Sequence, residues 1–114
     1  MWMRVALDRN SLVFENSQFA HVDGPHMEEY YFDENVAMIL ENDGFLLEMW
    51  KKLDAMFDWY DCDFFNYEKC IKFRNWLEER LRKEVDKNIK PVYVTMLDYA
   101  KKAINANTGI YFDF

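Results

Sequence analysis

Between Phe45 and Tyr60 the residues Leu46, Met49, Trp50, Leu53, Met56, Phe57 and Tyr60 recur at three- and four-residue spacing. This is the repeat that gathers side chains into one stripe of an α-helix. Such a stripe requires a core to cover it. The spacing predicts a helix over 45–60, with Glu48 and Lys52 on its solvated side in the order that adds about 0.2–0.5 kcal/mol.

The flanking segments supply the partners. Asp33 or Glu34 starts a helix that runs through VAMILEN to Gly44, which kinks it or separates it from the next. A further helix is predicted over 66–88, with Cys70, Leu77, Leu81 and Val85 on one face and Arg74 and Glu78 as a partly buried ion pair. Pro91 suits the first turn of a third long helix, because its missing N–H is not needed there. Tyr93, Met96, Ala100, Ala103 and Ile104 form that helix's apolar side, and it ends near Asn107 or Gly109.

Both chain ends read as strands. WMRVALDRNSLVF, residues 2–14, predicts a hairpin around the polar DRNS turn. HVDGPH, residues 21–26, is a second turn, and EEYYF a third strand. GIYFDF, residues 109–114, predicts a strand that returns to the N-terminal hairpin. The expected layout is α+β, a small antiparallel sheet from both termini packed against three or four helices.

A chain of 114 residues that is 51% hydrophobic suits one globular domain spanning 1–114. MWMRVALDRN lacks a long apolar run after a basic start, which reads against a signal peptide, and no segment approaches a membrane span. Two cysteines are too few for a disulfide framework, so a reduced, cytoplasmic setting is expected.

The net charge of −7 conceals an asymmetry: residues 1–65 hold 14 Asp/Glu against 4 Lys/Arg, and residues 66–114 hold 7 against 10. The first half repels nucleic-acid phosphates and favours a basic partner. A generic nucleic-acid binder is disfavoured on this ground.

Motifs for common chemistries are missing. There is no glycine-rich phosphate loop, GxSxG elbow, CxxC pair or HExxH helix, and so no specific support for an enzyme or for a cofactor. His21, Asp23 and His26 offer three metal-ligand types in six residues, but no fourth is fixed by spacing, and a polar loop is the preferred reading. Asp61 and Asp63 start like a calcium loop. The third oxygen position is then Phe65, the turn glycine is Asn66 and the twelfth residue is Lys72, which rules that loop out. A bare D-x-D that holds a nucleotide sugar lacks a nucleotide fold around it. Neither cysteine has a histidine near it in sequence. Cys70 reads as a small buried hydrophobe, whereas Cys62 lies beside a predicted helix start.

On the predicted helix Asp54, Asp58 and Asp61 form a carboxylate row flanking the apolar stripe, with Trp59 turned away from the core. Local physics opposes that row, because like charges four apart repel and the C-terminal end of a helix is its negative pole. Asp63 is assigned instead to capping the following helix, with Cys62 and Tyr67 at hydrophobic-staple spacing. That helix carries Lys69, Lys72, Arg80, Lys83, Lys87 and Lys90 on one face around Trp76, read as a solvated face with cation–π contacts.

EEYYFDE, residues 28–34, and DWYDCDFF, residues 58–65, join acids to rings in a small acidic α+β chain. In this make-up the chain resembles bacterial immunity proteins, which neutralise a toxin by covering its basic cleft. The resemblance is one of composition, so it transfers no family residue. It implies a non-enzymatic inhibitor that binds one basic protein, steered by charge and held by aromatic rings. The expected binding residues are Asp54, Asp58, Trp59 and Asp61, extended by Glu28, Glu29, Asp33 and Glu34. EEYYFDE alone reads as an edge strand protected by charge. A small enzyme or ligand-binding domain whose site forms only in three dimensions is the second reading. A nucleic-acid role through the basic stripe is the third.

Overall fold

The computed structural model describes residues 1–16 and 18–114. The architecture is α+β, as the order of patterns predicts: the described residues form four helices, a four-stranded antiparallel sheet and a separate two-stranded sheet.

Asp33 begins α1 (Glu34–Asn42) by accepting the Val36 N–H at 3.0 Å, a cap of the kind that contributes about 1 kcal/mol. Gly44, at φ 86°, then turns the chain into α2 (Phe45–Leu53). A left-handed backbone there suits a residue without Cβ. The helix expected over 45–60 stops at Leu53: Asp54 adopts φ 53°, and the Ala55 N–H bonds back to the Met49 carbonyl at 3.1 Å.

From Asp54 to Asp58 exposed and buried residues alternate, with Ala55 and Phe57 inward. That is the two-residue period of extended chain. The reason is the aromatic core, where Phe57 meets the rings of Phe45, Phe65, Phe112 and Phe114 with centroids 4.8–5.8 Å away. Burying a phenylalanine contributes about 1.5–3 kcal/mol, more than a surface turn of helix supplies. Trp50, Met56 and Tyr60, which helical spacing assigns to the core, are instead 54%, 81% and 76% exposed.

CDFF is not the cap of the next helix but a strand, β5 (Cys62–Phe65). The cap of α3 (Tyr67–Leu81) is Asn66, whose side chain accepts the Lys69 N–H at 3.0 Å, so the Asp63 cap and the Cys62–Tyr67 staple do not form. The helix ends at Leu81 rather than near Asn88. Lys83 and Lys87 therefore leave its face, and Lys90 opens α4 (Lys90–Ala106). There Pro91 sits in the first turn and Asn107, at φ 54°, ends the helix, both as predicted.

The main sheet runs β4 (Met27–Tyr31), β1 (Trp2–Ala6), β6 (Ile110–Asp113), β5, antiparallel throughout. Met3 lies between Tyr30 and Phe112, and Val5 between Glu28 and Ile110. The C-terminal strand thus returns beside the N-terminal one, as predicted. The N-terminal hairpin does not form. β2 (Leu12–Phe14) pairs with β3 (Ala20–Val22) in the small sheet, because DRNS makes a short 3-10 turn over Arg9–Ser11. Ser11 is buried, and its Oγ accepts the His26 N–H at 3.0 Å, tying that turn to the one before β4.

Met3, Val5, Phe65, Ile110 and Phe112 face Phe73, Leu77, Met96, Ala100 and Ala103 of α3 and α4 in the main core. One end of the opposite face is covered by the small sheet through Ala6, Leu12, Val22 and Phe64. Among the described residues no helix is long and apolar enough to cross a membrane.

Candidate functional site

The eight residues expected at a binding surface have separate fates. Glu28 and Glu29 lie on β4, at the edge of the sheet, and each has an internal partner. Lys102 Nζ donates to both Glu28 carboxylate oxygens at 2.7 and 3.0 Å, and Arg4 Nε to Glu29 at 3.1 Å. Asp33 caps α1. Glu34 Oε1 accepts the Tyr60 hydroxyl at 2.7 Å. Asp61 accepts its neighbour's Cys62 N–H at 2.8 Å, while its carbonyl takes the Phe114 N–H at 3.0 Å. Asp54 and Asp58 are exposed. No helix carries the row, so the like-charge cost expected along a helix face does not arise.

Trp59 does not point away from the core. It is half-buried, its ring 5.3 Å from Phe114, at the outer end of a chain of rings that runs inward through Phe114 and Phe57 to Phe65. Phe32 reaches Phe114 from the other side at 5.4 Å. The two acid-and-ring blocks therefore meet over the C-terminal phenylalanine, and the Tyr60–Glu34 bond joins them a second time. Tyr60 holds φ 66°, a left-handed backbone uncommon for a bulky residue. Its hydroxyl pKa is raised by the hydrogen bond to Glu34, with the charge of that carboxylate adding to this.

Where the blocks join, a cavity of about 130 Å3 opens, lined by Met1, Glu34, Ala37, Met38, Glu41, Trp59 and Tyr60. Met38, Glu41 and Tyr60 were not among the expected residues. Glu34, Met38 and Glu41 stand at helical spacing of four and three on α1, and an apolar residue between two acids on one face is the pattern that marks them.

The charges around this junction are one-sided. No Lys or Arg occurs between Arg9 and Lys51 or between Lys52 and Lys69. Among the described residues Asp33, Glu34, Glu41, Asp54, Asp58 and Asp61 make no ion pair. The arginines on and just after α3 are engaged elsewhere: Arg80 with Asp43, Arg82 with Glu79 and Arg74 with Glu78. Arg74 and Glu78 are 4.0 Å apart and each about a third or more exposed, so the partly buried pair expected there is a loose surface contact. Trp76 packs edge-on against Phe45 and Tyr93, and the cation–π contacts fall on other rings, Arg80 over Tyr93 and Lys69 over Phe65.

The candidate metal ligands are dispersed. His21 Nδ1 lies 3.2 Å from Glu15, and His26 Nδ1 is hydrogen-bonded with Asp8. Among the described residues no three His, Cys, Asp or Glu side chains stand together to hold a metal ion. Cys70 is buried, and burial pushes its thiol up to about 12, while Cys62 is exposed. A larger open groove of about 490 Å3 is lined by Asn16, Gln18, Phe19, Asp63, Phe64, Asn66 and Lys69. Burial raises the Asp63 carboxyl there, against the Phe64 N–H that it accepts at 2.8 Å.

Comparison with protein-family models, with curated proteins and with solved structures finds no match to this chain.

Proposed function

We propose that this protein is a non-enzymatic binding module for a basic protein, in the manner of an immunity protein covering a toxin, and that it works in the cytoplasm. The observation that carries the reading is the junction of the two acid-and-ring blocks. The two segments that meet there carry six carboxylates without an ion pair among the described residues, and Glu34 and Glu41 stand beside exposed Met38 and Tyr60 and half-buried Trp59. Unpaired acids attract a basic partner over a Debye length of about 8 Å at physiological salt, and rings on a fixed base then hold it. The surface is centred on Glu34, Glu41, Asp58, Tyr60 and Trp59. Glu28 and Glu29 fall to its margin because Lys102 and Arg4 already hold them. Two free cysteines agree with a reducing compartment.

The test is affinity capture from the source cell's lysate over a salt series, with wild-type and variant bait. A basic protein retained at low salt, released as salt rises, and lost with Asp58→Lys and with Tyr60→Ala supports the reading. Retention unchanged in both variants overturns it.

The polar groove at Asp63 and Lys69 favours a second reading, a small-ligand domain. Chemical-shift changes confined to that groove on adding a metabolite mixture would favour it over the first.

A further inference from the structure

The cavity between α1 and the 54–61 segment is lined by carboxylates, rings and apolar side chains. Glu34 and Glu41 supply two carboxylates, Trp59 and Tyr60 supply ring surface, and Met1, Ala37 and Met38 supply apolar wall. Apart from the α-ammonium of Met1, which pairs with no carboxylate among the described residues, it contains no cation, and the two carboxylates are in excess. At about 130 Å3 it holds the volume of roughly four waters at ~30 Å3 each, which is the room for one long side chain and its head group.

From this lining we infer that the cavity is a socket for a single cationic side chain, an arginine or lysine. That a protein partner presents this side chain rests on the function proposed above. An aliphatic stem lies against the methionines and Ala37, while the charged head meets the carboxylates and the negative faces of the rings. Arginine fits better than lysine, because its flat, weakly hydrated guanidinium both stacks on rings and forks onto carboxylate oxygens.

The socket is largely preformed. Trp59 is packed on Phe114, which is itself packed on Phe57 and Phe112 in the core. The Tyr60 hydroxyl is tied to Glu34 Oε1, which leaves Glu34 Oε2 and both oxygens of Glu41 with no bond to a described side chain or backbone N–H. A site that is already ordered loses little conformational freedom on binding.

The experiment uses the whole protein with 13C-labelled methionine methyls and 15N-labelled indoles, titrated at low salt with N-acetyl-arginine amide. N-acetyl-citrulline amide, nearly the same shape without the charge, is the control. Saturable shifts at the Met38 methyl and the Trp59 indole, about tenfold weaker for citrulline, support the socket. The double variant Glu34→Gln/Glu41→Gln keeps the shape of the wall and is expected to abolish the arginine response. No response, an equal response to citrulline, or a response unaffected by the double variant would overturn it. Partner capture separates this inference from the reading beneath it. Capture lost with Asp58→Lys but kept in the double variant would overturn the socket and leave the acidic surface standing. Arginine binding that needs Glu34 and Glu41, with capture indifferent to every variant, would support the socket and overturn the protein-partner reading.

Discussion

Arg80 holds Asp43 through two parallel hydrogen bonds, Nη2 to Oδ1 at 2.7 Å and Nε to Oδ2 at 3.1 Å, and the Tyr93 hydroxyl donates to Oδ2 at 2.6 Å. The three residues lie thirty-seven and thirteen positions apart and tie the α1–α2 corner to the end of α3 and the start of α4. Both charged side chains are 19% exposed, so the fork is shielded more than an ordinary surface pair. Asp43→Ala is expected to lower unfolding stability by about 1.5–3 kcal/mol in urea.

The same pair makes a prediction about acid. Burial pushes the Asp43 carboxyl up, but the hydrogen bonds from Arg80 and Tyr93, with the Arg80 charge, outweigh it and hold the group below its ordinary value. A carboxyl depressed in the folded state stabilises the fold fully above its unfolded pKa, near 4, and loses that contribution as pH falls through the folded value. The stability gap between wild type and Asp43→Asn should stay level from pH 8 to about 5 and narrow below about pH 4. Urea midpoints measured across that range check it.

Two tryptophans exchange the roles that helical spacing suggests for them. Trp59 is half-buried on Phe114 and Trp50 is 54% exposed. Trp59→Ala is expected to cost about 1–3 kcal/mol, and Trp50→Ala to stay within about 0.5 kcal/mol of wild type. Paired urea titrations would expose a reversed order.

Two glycines resist substitution for different reasons. A Cβ at Gly109 would run into the Phe64 ring and the Phe65 carbonyl, so β5 would have to move. Gly109→Ala should cost about 1–3 kcal/mol. At Gly44 the space is open but φ is 86°, and Gly44→Ala should cost about 1 kcal/mol through the backbone alone. Thermal unfolding of the two variants should rank Gly109→Ala lower.

The thiols should separate by reaction rate. An exposed Cys62 is expected to react with a colorimetric thiol reagent as one fast equivalent. Cys70, buried and with its thiol pushed up to about 12, should react only as fast as the protein unfolds. Two fast equivalents in native buffer would contradict the placement of Cys70.

The parts of this fold that were legible in sequence are those governed by neighbours along the chain. Asp33 as a cap, Gly44 as a divider, Pro91 in a first turn and Asn107 at a helix end all follow from local backbone chemistry. The alternation of the last strand was equally plain. The stretch from Leu53 to Tyr60 misled because its spacing fits two periods at once. Leu53, Phe57 and Tyr60 suit a helix, while Ala55 and Phe57 against Asp54, Met56 and Asp58 suit an extended chain. Asp63, too, is a good cap residue that sits in a strand.

Of the candidate surface, the acids were visible as a charge imbalance, but their arrangement was not. Glu34 and Tyr60 are 26 residues apart, and the ring that joins their segments, Phe114, comes from the far end of the chain. Glu28 and Glu29 gave no sign of Lys102 and Arg4 as their partners. By itself the sequence determined an α+β chain, its helix signals and its acidic first half, because propensity, capping and charge are local or additive. Only the tertiary structure decided which period Phe57 obeys, which strand pairs with β1 and which acids stay unpaired, because each choice rests on burying rings and pairing charges brought together from distant parts of the chain.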